Sequence, residues 1–271
     1  MDPRLGPVYL GKEDLTDAYM WLWVCLEDTP SVGFLIPRKT PTDEQLVGFH
    51  LSLPTGYVDI APFFCLATET ITDMANAATA DRHRALPHPL EELADSPALN
   101  DRPPTMTDDK QWTLTSPEQR GHALAQVDVY LDNFISTCQC GPVERRQMIH
   151  HLFRSIDKVF RTNVYTDGLS KEPISMKKLR QGDTAWSTKK TVLGWELDTL
   201  EHHLRLTPKR KSKVRVALDA IPAAAHQVSL RKWGHLLGLL CSITPAVAGA
   251  QGMFTRLQHA LRQARSRQVQ I

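Results

Sequence analysis

Apolar residues recur along this chain with two different periods. Val127, Val129 and Leu131 alternate with polar residues, which predicts a strand with one buried face. Residues 134–137 follow at once and predict the return strand of a tight hairpin. Short apolar runs predict further strands at 8–10, 21–26, 34–36, 46–53, 191–197 and 204–206.

Other segments show helical spacing. One apolar stripe follows Pro62 and a second follows Pro142, and proline suits the first turn of a helix. Helices are also predicted after the cap residues Thr207 and Ser229, and over about 252–264. The two stripes consist of Phe64, Ala67, Ile71, Met74, Ala75 and Ala78, and of Ile149, Leu152, Phe153, Ile156 and Phe160.

The order of these elements predicts the fold class. Strands and helices are interleaved up to residue 206, and only helices follow. This order predicts an α+β domain over 1–206 and a small helical region over 207–271. Residues 86–120 are rich in proline and poor in large apolar side chains, so an irregular surface insertion is expected there.

Composition narrows the class of protein. With 271 residues, 42% of them hydrophobic, the chain can bury a real core. No apolar run is long enough for a transmembrane helix, and no basic stretch followed by an apolar one opens the chain. Five cysteines are too few for a disulfide framework, so a reduced, intracellular protein without a secretion signal or membrane partner is expected.

Charge is distributed unevenly along the chain. Residues 1–110 contain 8 basic and 18 acidic side chains, whereas residues 111–271 contain 24 basic and 12 acidic ones. An acidic region of this kind is compatible with metal binding, and a basic one with a polyanionic partner. The alternative is two solvated faces of opposite sign.

Three short segments in sequence order suggest a specific chemistry. They are DLTDAY at 14–19, LPTGYVDIAPFF at 53–64 and YLDN at 130–133. In this order they resemble motifs A, B and C of retrotransposon reverse transcriptases. Downstream, VLGW at 192–195 resembles the primer-grip segment, and LRLTPK at 204–209 and WGHLLG at 233–238 resemble the start of the thumb. The resemblance extends over about 8–260.

The resemblance implies a polymerase palm, which is a ferredoxin-like antiparallel sheet with helices on one face, followed by part of a thumb. It implies an RNA-directed DNA polymerase in which Asp14, Asp132 and Asn133 are catalytic. Asp14 and Asp132 would hold two Mg²⁺ (or Mn²⁺) ions. Nucleotidyl transfer needs such hard oxygen ligands, because two cations must lie between the primer hydroxyl and the triphosphate.

The resemblance also implies the substrates and partners. These are deoxynucleoside triphosphates and an RNA or DNA template with a DNA primer; no residue pattern indicates a protein partner. Nucleotide-binding residues by this match are Asp17, Tyr19, Thr55 and Gly56, with Tyr19 as the steric gate against ribonucleotides. Nucleic-acid-binding residues are Tyr57, Gly194, Trp195, Lys209, Arg210, Lys211 and Lys213, and cations clustered on a helix suit phosphate contacts.

The chain departs from the family pattern at two places that matter for activity. Asn133 stands where the family has a second aspartate, which removes one negative charge beside the metals. Only 13 residues precede Asp14, so most of the fingers are missing from this sequence. A truncated or degenerate copy with impaired activity is therefore expected. The alternatives are a non-catalytic nucleic-acid-binding remnant and a decayed reading frame without selected function.

Overall fold

The computed structural model describes residues 6–56, 60–81, 86–94, 125–139, 141–160, 172–221, 228–247 and 249–268. The chain forms two compact units, Met1–Lys190 and Thr191–Ile271. The sequence-based division at 206 lies within the second unit, at the end of its last strand. The fold is mixed α+β with antiparallel sheets, as the order of elements predicts at that level of detail.

The first unit is built on a three-stranded antiparallel sheet in the order β1-β5-β4. A separate antiparallel pair, β2 with β3, stands apart from it. The five strands are β1 (Tyr9–Asp14), β2 (Gly33–Leu35), β3 (Val47–Phe49), β4 (Ala125–Tyr130) and β5 (Asn133–Cys138). The hairpin of β4 and β5 confirms the pairing that the alternating pattern predicts.

One face of the three-stranded sheet is covered by two long helices, α1 (Ile60–Ala80) and α3 (Pro142–Phe160). Two short helices, α2 (Glu91–Ala94) and α4 (Met176–Arg180), complete the unit. The side chains between sheet and helices are fully excluded from water, which is the main stabilising term of the fold. They include Phe64, Ile71, Val127, Phe134, Leu152, Phe153 and Ile156.

The strand expected at 21–26 is absent. Two 3₁₀ helices, Ala18–Trp21 and Leu26–Val32, frame this segment. The Trp21 indole N–H donates to the carbonyl of Thr16 at 2.5 Å, which folds the chain back on itself. A local hydrogen bond and packing of Trp21 on the core therefore outweigh the strand propensity of the apolar run.

The beginning of the proline-rich stretch packs on α3. Arg154 donates to the carbonyls of Leu86 and Pro87, and the buried His88 Nε2 lies 3.0 Å from a carboxylate oxygen of Asp157. Residues 86–94 are thus attached to the core, although none of them belongs to a strand. The rest of the expected insertion, 95–120, lies outside the described residues.

Asn76 on α1 acts as a partner for the outer edge of β4. Its side-chain amide donates to the Val127 carbonyl at 2.9 Å, and its side-chain oxygen accepts from the Val127 N–H at 2.8 Å. Val127 lies on the last strand of this sheet among the described residues, so its backbone groups have no further described strand to pair with. The Asn76 amide supplies both bonds that such a strand would make.

The second unit begins within β6 and continues through an antiparallel hairpin into helices. Its elements are β6 (Lys189–Val192), β7 (Trp195–Asp198), β8 (His203–Leu206), α5 (Pro208–Asp219), α6 (Leu230–Cys241) and α7 (Ala250–Gln268). Thr207 and Ser229 cap α5 and α6 by accepting from backbone N–H groups, as predicted. In the part of the chain with described coordinates, every helix is too short or too polar to cross a bilayer.

The turn between β6 and β7 requires glycine. Leu193 and Gly194 both have positive φ, of 49° and 80°, which is the signature of a type I′ turn. A Cβ atom at Gly194 would lie 2.7 Å from the Arg210 guanidinium. That guanidinium donates to the carbonyls of Leu193 and Ser242 and so joins the turn to the helices.

Gly194→Ala is therefore expected to lower the free energy of unfolding by about 1–2 kcal/mol, through strain at positive φ and displacement of Arg210. Gly238→Ala is the matched control, because Gly238 lies inside α6 with open space around its missing Cβ. The control is expected to be neutral or stabilising by up to about 1 kcal/mol. Urea unfolding followed by circular dichroism measures the free energy of unfolding of both variants. Equal effects of the two substitutions would contradict the requirement for glycine at the β6–β7 turn.

Candidate functional site

The pairing of β1 with β5 brings the three predicted catalytic residues to one end of the sheet. Asp14 lies directly opposite Asn133 in the antiparallel register. The Leu15 N–H donates to the Asp132 carbonyl at 3.2 Å, which fixes the hairpin turn beside the end of β1. Directly opposed residues point to the same face, so Asp14 and Asn133 share a face of the sheet.

The turn that carries Asp132 is tight. Tyr130 pairs with Asn133, so Leu131 and Asp132 form a two-residue loop. Leu131 has φ of 56°, a conformation that two-residue hairpin loops require and that costs a leucine free energy. The Asn133 side-chain amide donates to an Asp132 carboxylate oxygen at 2.8 Å. Asn133 thus makes a hydrogen bond where an aspartate would place a second carboxylate beside Asp132.

Asp14 lies in a ring of four charged side chains, which we call the charge ring: Lys12, Asp14, Lys178 and Asp183. The Asp14 Oδ2 atom lies 3.4 Å from the Lys12 Nζ atom and 3.6 Å from the Lys178 Nζ atom. Asp183 closes the ring, at 3.9 Å from Lys12 and 3.3 Å from Lys178. Although partial burial lowers the pKa of Lys178, the carboxylates of Asp183 and Asp14 raise it by more, so its net shift is upward.

A second ionisable pair lies on the opposite, core-facing side of β1. Glu13 is buried, accepts from the Ser136 hydroxyl at 3.1 Å, and has no partner for its Oε1 atom among the described residues. Burial raises the pKa of Glu13 to about 8, against the opposing effect of the Lys190 charge. Burial likewise lowers the pKa of Lys190 to about 8, and its ammonium donates to the carbonyls of Asp183 and Ala185.

Sequence reasoning missed both the charge ring and the Glu13–Lys190 pair. The alternation of β1 could have revealed Glu13, since it shares the face of the buried Tyr9 and Gly11. The ring gives no comparable signal, because Lys178 and Asp183 are far from β1 in sequence. The 172–187 segment is held beside β1 by backbone hydrogen bonds from Ser175 N–H to the Asp14 carbonyl and between Leu10 and Ser187.

The buried Glu13 predicts a pH dependence of stability. Its pKa in the folded protein is higher than the ordinary glutamate value of 4.5, so the stability it contributes is present below about pH 4.5 and is lost as the pH rises to about 8. Glu13→Gln does not titrate and is expected to gain stability relative to the parent across this window. Urea unfolding at several pH values measures the difference. Glu44→Gln, at an exposed position, should show no such trend.

The predicted nucleotide-binding residues are only partly brought to this end of the sheet. Asp17, with φ of 51°, precedes the 3₁₀ helix that carries Tyr19. The Tyr19 ring packs edge-on against Phe64 with centroids 4.9 Å apart, so it takes part in the core. Thr55 and Gly56 form a turn, and Gly56 has φ of 100°, which favours glycine there. Tyr57 lies outside the described residues.

The predicted nucleic-acid-binding residues of the second unit fall into two groups. Lys209, Lys211 and Lys213 are exposed on α5. Arg210 is instead engaged by the carbonyls of Leu193 and Ser242, and its guanidinium lies 5.7 Å from the centroid of the Trp195 ring. Arg210 therefore holds the turn containing Gly194, while the three lysines present their charge to solvent.

The residue types at the end of β1 suit a divalent cation. The β1–β5 register brings the backbones of Asp14 and Asp132 to the same end of the sheet. Mg²⁺ is typically held by one or two carboxylates together with substrate phosphates. The pair therefore fits Mg²⁺ or Mn²⁺ by its chemistry. Within the described ranges, no three His, Cys, Asp or Glu side chains gather into a metal-binding group.

No protein-family model matches the sequence, and no curated protein matches it.

Proposed function

We propose that this chain is the palm and partial thumb of a retrotransposon reverse transcriptase, with nucleotidyl-transfer activity that is strongly impaired. The observation that carries the proposal is the β1–β5 register. It places Asp14 opposite Asn133 and beside Asp132, although these residues come from distant parts of the sequence. This is the arrangement that motifs A and C would need in order to act together.

In this proposal Asp14 and Asp132 would hold Mg²⁺ or Mn²⁺, which when bound would supply Lewis-acid activation of the primer hydroxyl and charge compensation at the triphosphate. Asn133 orients Asp132 through its hydrogen bond. Gly56 leaves open space at its turn, which suits close approach of a template base. Tyr19 keeps the role beneath the sugar that the resemblance implies, and Lys209, Lys211 and Lys213 keep their role as nucleic-acid contacts. Arg210 instead holds the turn that contains Gly194.

Two features account for the impairment. Asn133 contributes one negative charge fewer than an aspartate. Lys12 and Lys178 neutralise the Asp14 carboxylate from within the protein. Each lost electrostatic contact of this kind typically costs about 10²–10³ in rate, so we expect only trace incorporation.

Primer extension on an RNA template with Mg²⁺ or Mn²⁺ tests the proposal. We expect slow incorporation of deoxynucleotides that is abolished by Asp14→Asn and by Asp132→Asn. Asp128→Asn is the matched control, because Asp128 is an exposed carboxylate on β4 that lies outside the predicted site. Incorporation that persists in both site variants would contradict the proposed roles, and robust extension by the unmodified chain would contradict the impairment.

A second candidate function is binding of nucleic acid without catalysis. The observation that favours it is the combination of exposed Lys209, Lys211 and Lys213 with an Asp14 that is already neutralised by lysines. Duplex binding with no detectable incorporation under either metal would select this candidate over the first.

A further inference from the structure

The charge ring encloses Asp14 with cations that the protein itself supplies. Lys12 precedes Asp14 by two residues on β1, so both side chains leave the same face of the strand. Lys178 comes from α4, and the hydrogen bond from Ser175 N–H to the Asp14 carbonyl, 2.8 Å long, fixes the start of that helix beside β1. Two elements thus deliver one ammonium each to the same carboxylate oxygen.

The two lysines differ in how firmly they are held. The side chains of Lys12 and Asp14 are only 14% and 12% exposed, whereas that of Lys178 is 41% exposed. Desolvated ion pairs are weakly screened by salt, while exposed pairs exchange readily with water. Lys12 is therefore the more firmly held partner of Asp14, and Lys178 the more easily displaced one.

Asp183 keeps both lysines in place. Its carboxylate forms ion pairs with both of them, at 3.9 Å from the Lys12 Nζ atom and 3.3 Å from the Lys178 Nζ atom, and its backbone carbonyl accepts from the Lys190 ammonium. The ring contains two positive and two negative charges and is neutral as a unit. No net negative charge therefore remains in the ring to attract a divalent ion.

We infer that Lys12 and Lys178 are built-in counter-cations which compete with a divalent metal ion for the Asp14 carboxylate, and that Lys12 sets the strength of this competition. The inference rests on the proposed function, since it takes Asp14 as a metal ligand. A metal ion that binds the Asp14 Oδ2 atom has to displace at least one ammonium. The ring is thus an autoinhibitory contact that keeps the metal affinity of the site low.

Binding of Mn²⁺ to the purified full chain, followed by electron paramagnetic resonance of the free ion, tests the inference without any requirement for polymerase activity. Lys12→Met is expected to raise the Mn²⁺ affinity at least about tenfold, because a neighbouring opposite charge typically changes the proton affinity of a carboxylate by one to three powers of ten. Lys178→Met is expected to give a smaller gain in the same direction.

Two variants serve as controls. Lys177→Met removes the same charge from the exposed neighbour of Lys178 and should change the affinity by about twofold or less. Lys12→Met combined with Asp14→Asn should lose the gain. A gain that appears equally in Lys177→Met, or that survives loss of Asp14, would overturn the inference, as would an unchanged affinity in Lys12→Met with the fold intact by circular dichroism.

Primer extension by the Lys12→Met variant is a separate readout that concerns only the proposed function. Tighter Mn²⁺ binding at Asp14 without any incorporation would uphold the charge ring as a competitor for metal while rejecting the polymerase. Unchanged Mn²⁺ binding together with incorporation that depends on Asp14 would reject the charge ring as a competitor for metal and uphold the polymerase.

Discussion

Replacing Lys209, Lys211 and Lys213 together with glutamine is expected to lower the affinity for a primer–template duplex about 10²–10³-fold at 0.1 M salt. The three ammonium groups are exposed on α5. Each phosphate that they neutralise releases condensed counterions, so each contact adds about 0.9 to the slope of log affinity against log salt concentration. The parent affinity should fall steeply with salt, and the triple variant should show a slope shallower by about three.

The control neutralises three exposed lysines elsewhere, Lys39, Lys158 and Lys177. This variant has the same net charge as the first but is expected to bind within a few-fold of the parent. Fluorescence anisotropy with a labelled duplex over a series of salt concentrations measures both slope and affinity. If the two triple variants weaken binding equally, the effect is one of net charge, and the assignment of α5 as the contact surface is wrong.

Phe64→Ala is expected to lower the free energy of unfolding by about 3–5 kcal/mol, the range typical of removing a large buried aromatic side chain. Phe64 is completely buried, and its ring contacts Tyr19 at a centroid distance of 4.9 Å and Phe160 at 6.1 Å. The substitution therefore leaves a cavity where α1, α3 and the 3₁₀ helix of Tyr19 meet. The lost ring contacts come from two segments other than α1, so local relaxation of one segment cannot refill the space easily.

The neighbouring Phe63 provides the control, because it lies on the same helix and is 63% exposed. Phe63→Ala removes the same number of atoms but is expected to change the free energy of unfolding by no more than about 0.5 kcal/mol. Chemical denaturation of both variants gives the comparison. Similar losses of unfolding free energy in the two variants would mean that α1 does not bury the face that carries Phe64.

The helices could be predicted because their signals are local. Thr207 before Pro208, and Ser229 before an apolar run, each identify a helix start from a few adjacent residues, and both caps are observed. The β4–β5 hairpin could be predicted equally well, from the alternation of apolar and polar residues along β4. The structure of the segment at 21–26 could not be predicted in this way. Trp21 is positioned by a hydrogen bond to Thr16 and by packing on the core, and neither contact is visible in the spacing of apolar residues.

The candidate site also has a part that could be predicted from the sequence and a part that could not. The order of the motifs sufficed to predict that Asp14 and Asp132 would come to one end of a sheet, and the β1–β5 register is compatible with this. The partners of Asp14 could not be predicted, because Lys178 and Asp183 reach it only when the 172–187 segment lies along β1. Long-range ion pairs depend on this tertiary placement, so they cannot be predicted from the local sequence.

The amide of Asn76 also bears on how molecules of this protein behave towards one another. An outer strand whose N–H and C=O groups point into solvent can recruit a strand from a neighbouring molecule and start a growing intermolecular sheet. At Val127 these groups are already taken by the Asn76 side chain. A single side chain on a helix thereby occupies the middle of the β4 edge, which opposes pairing of that strand with a strand from a neighbouring molecule.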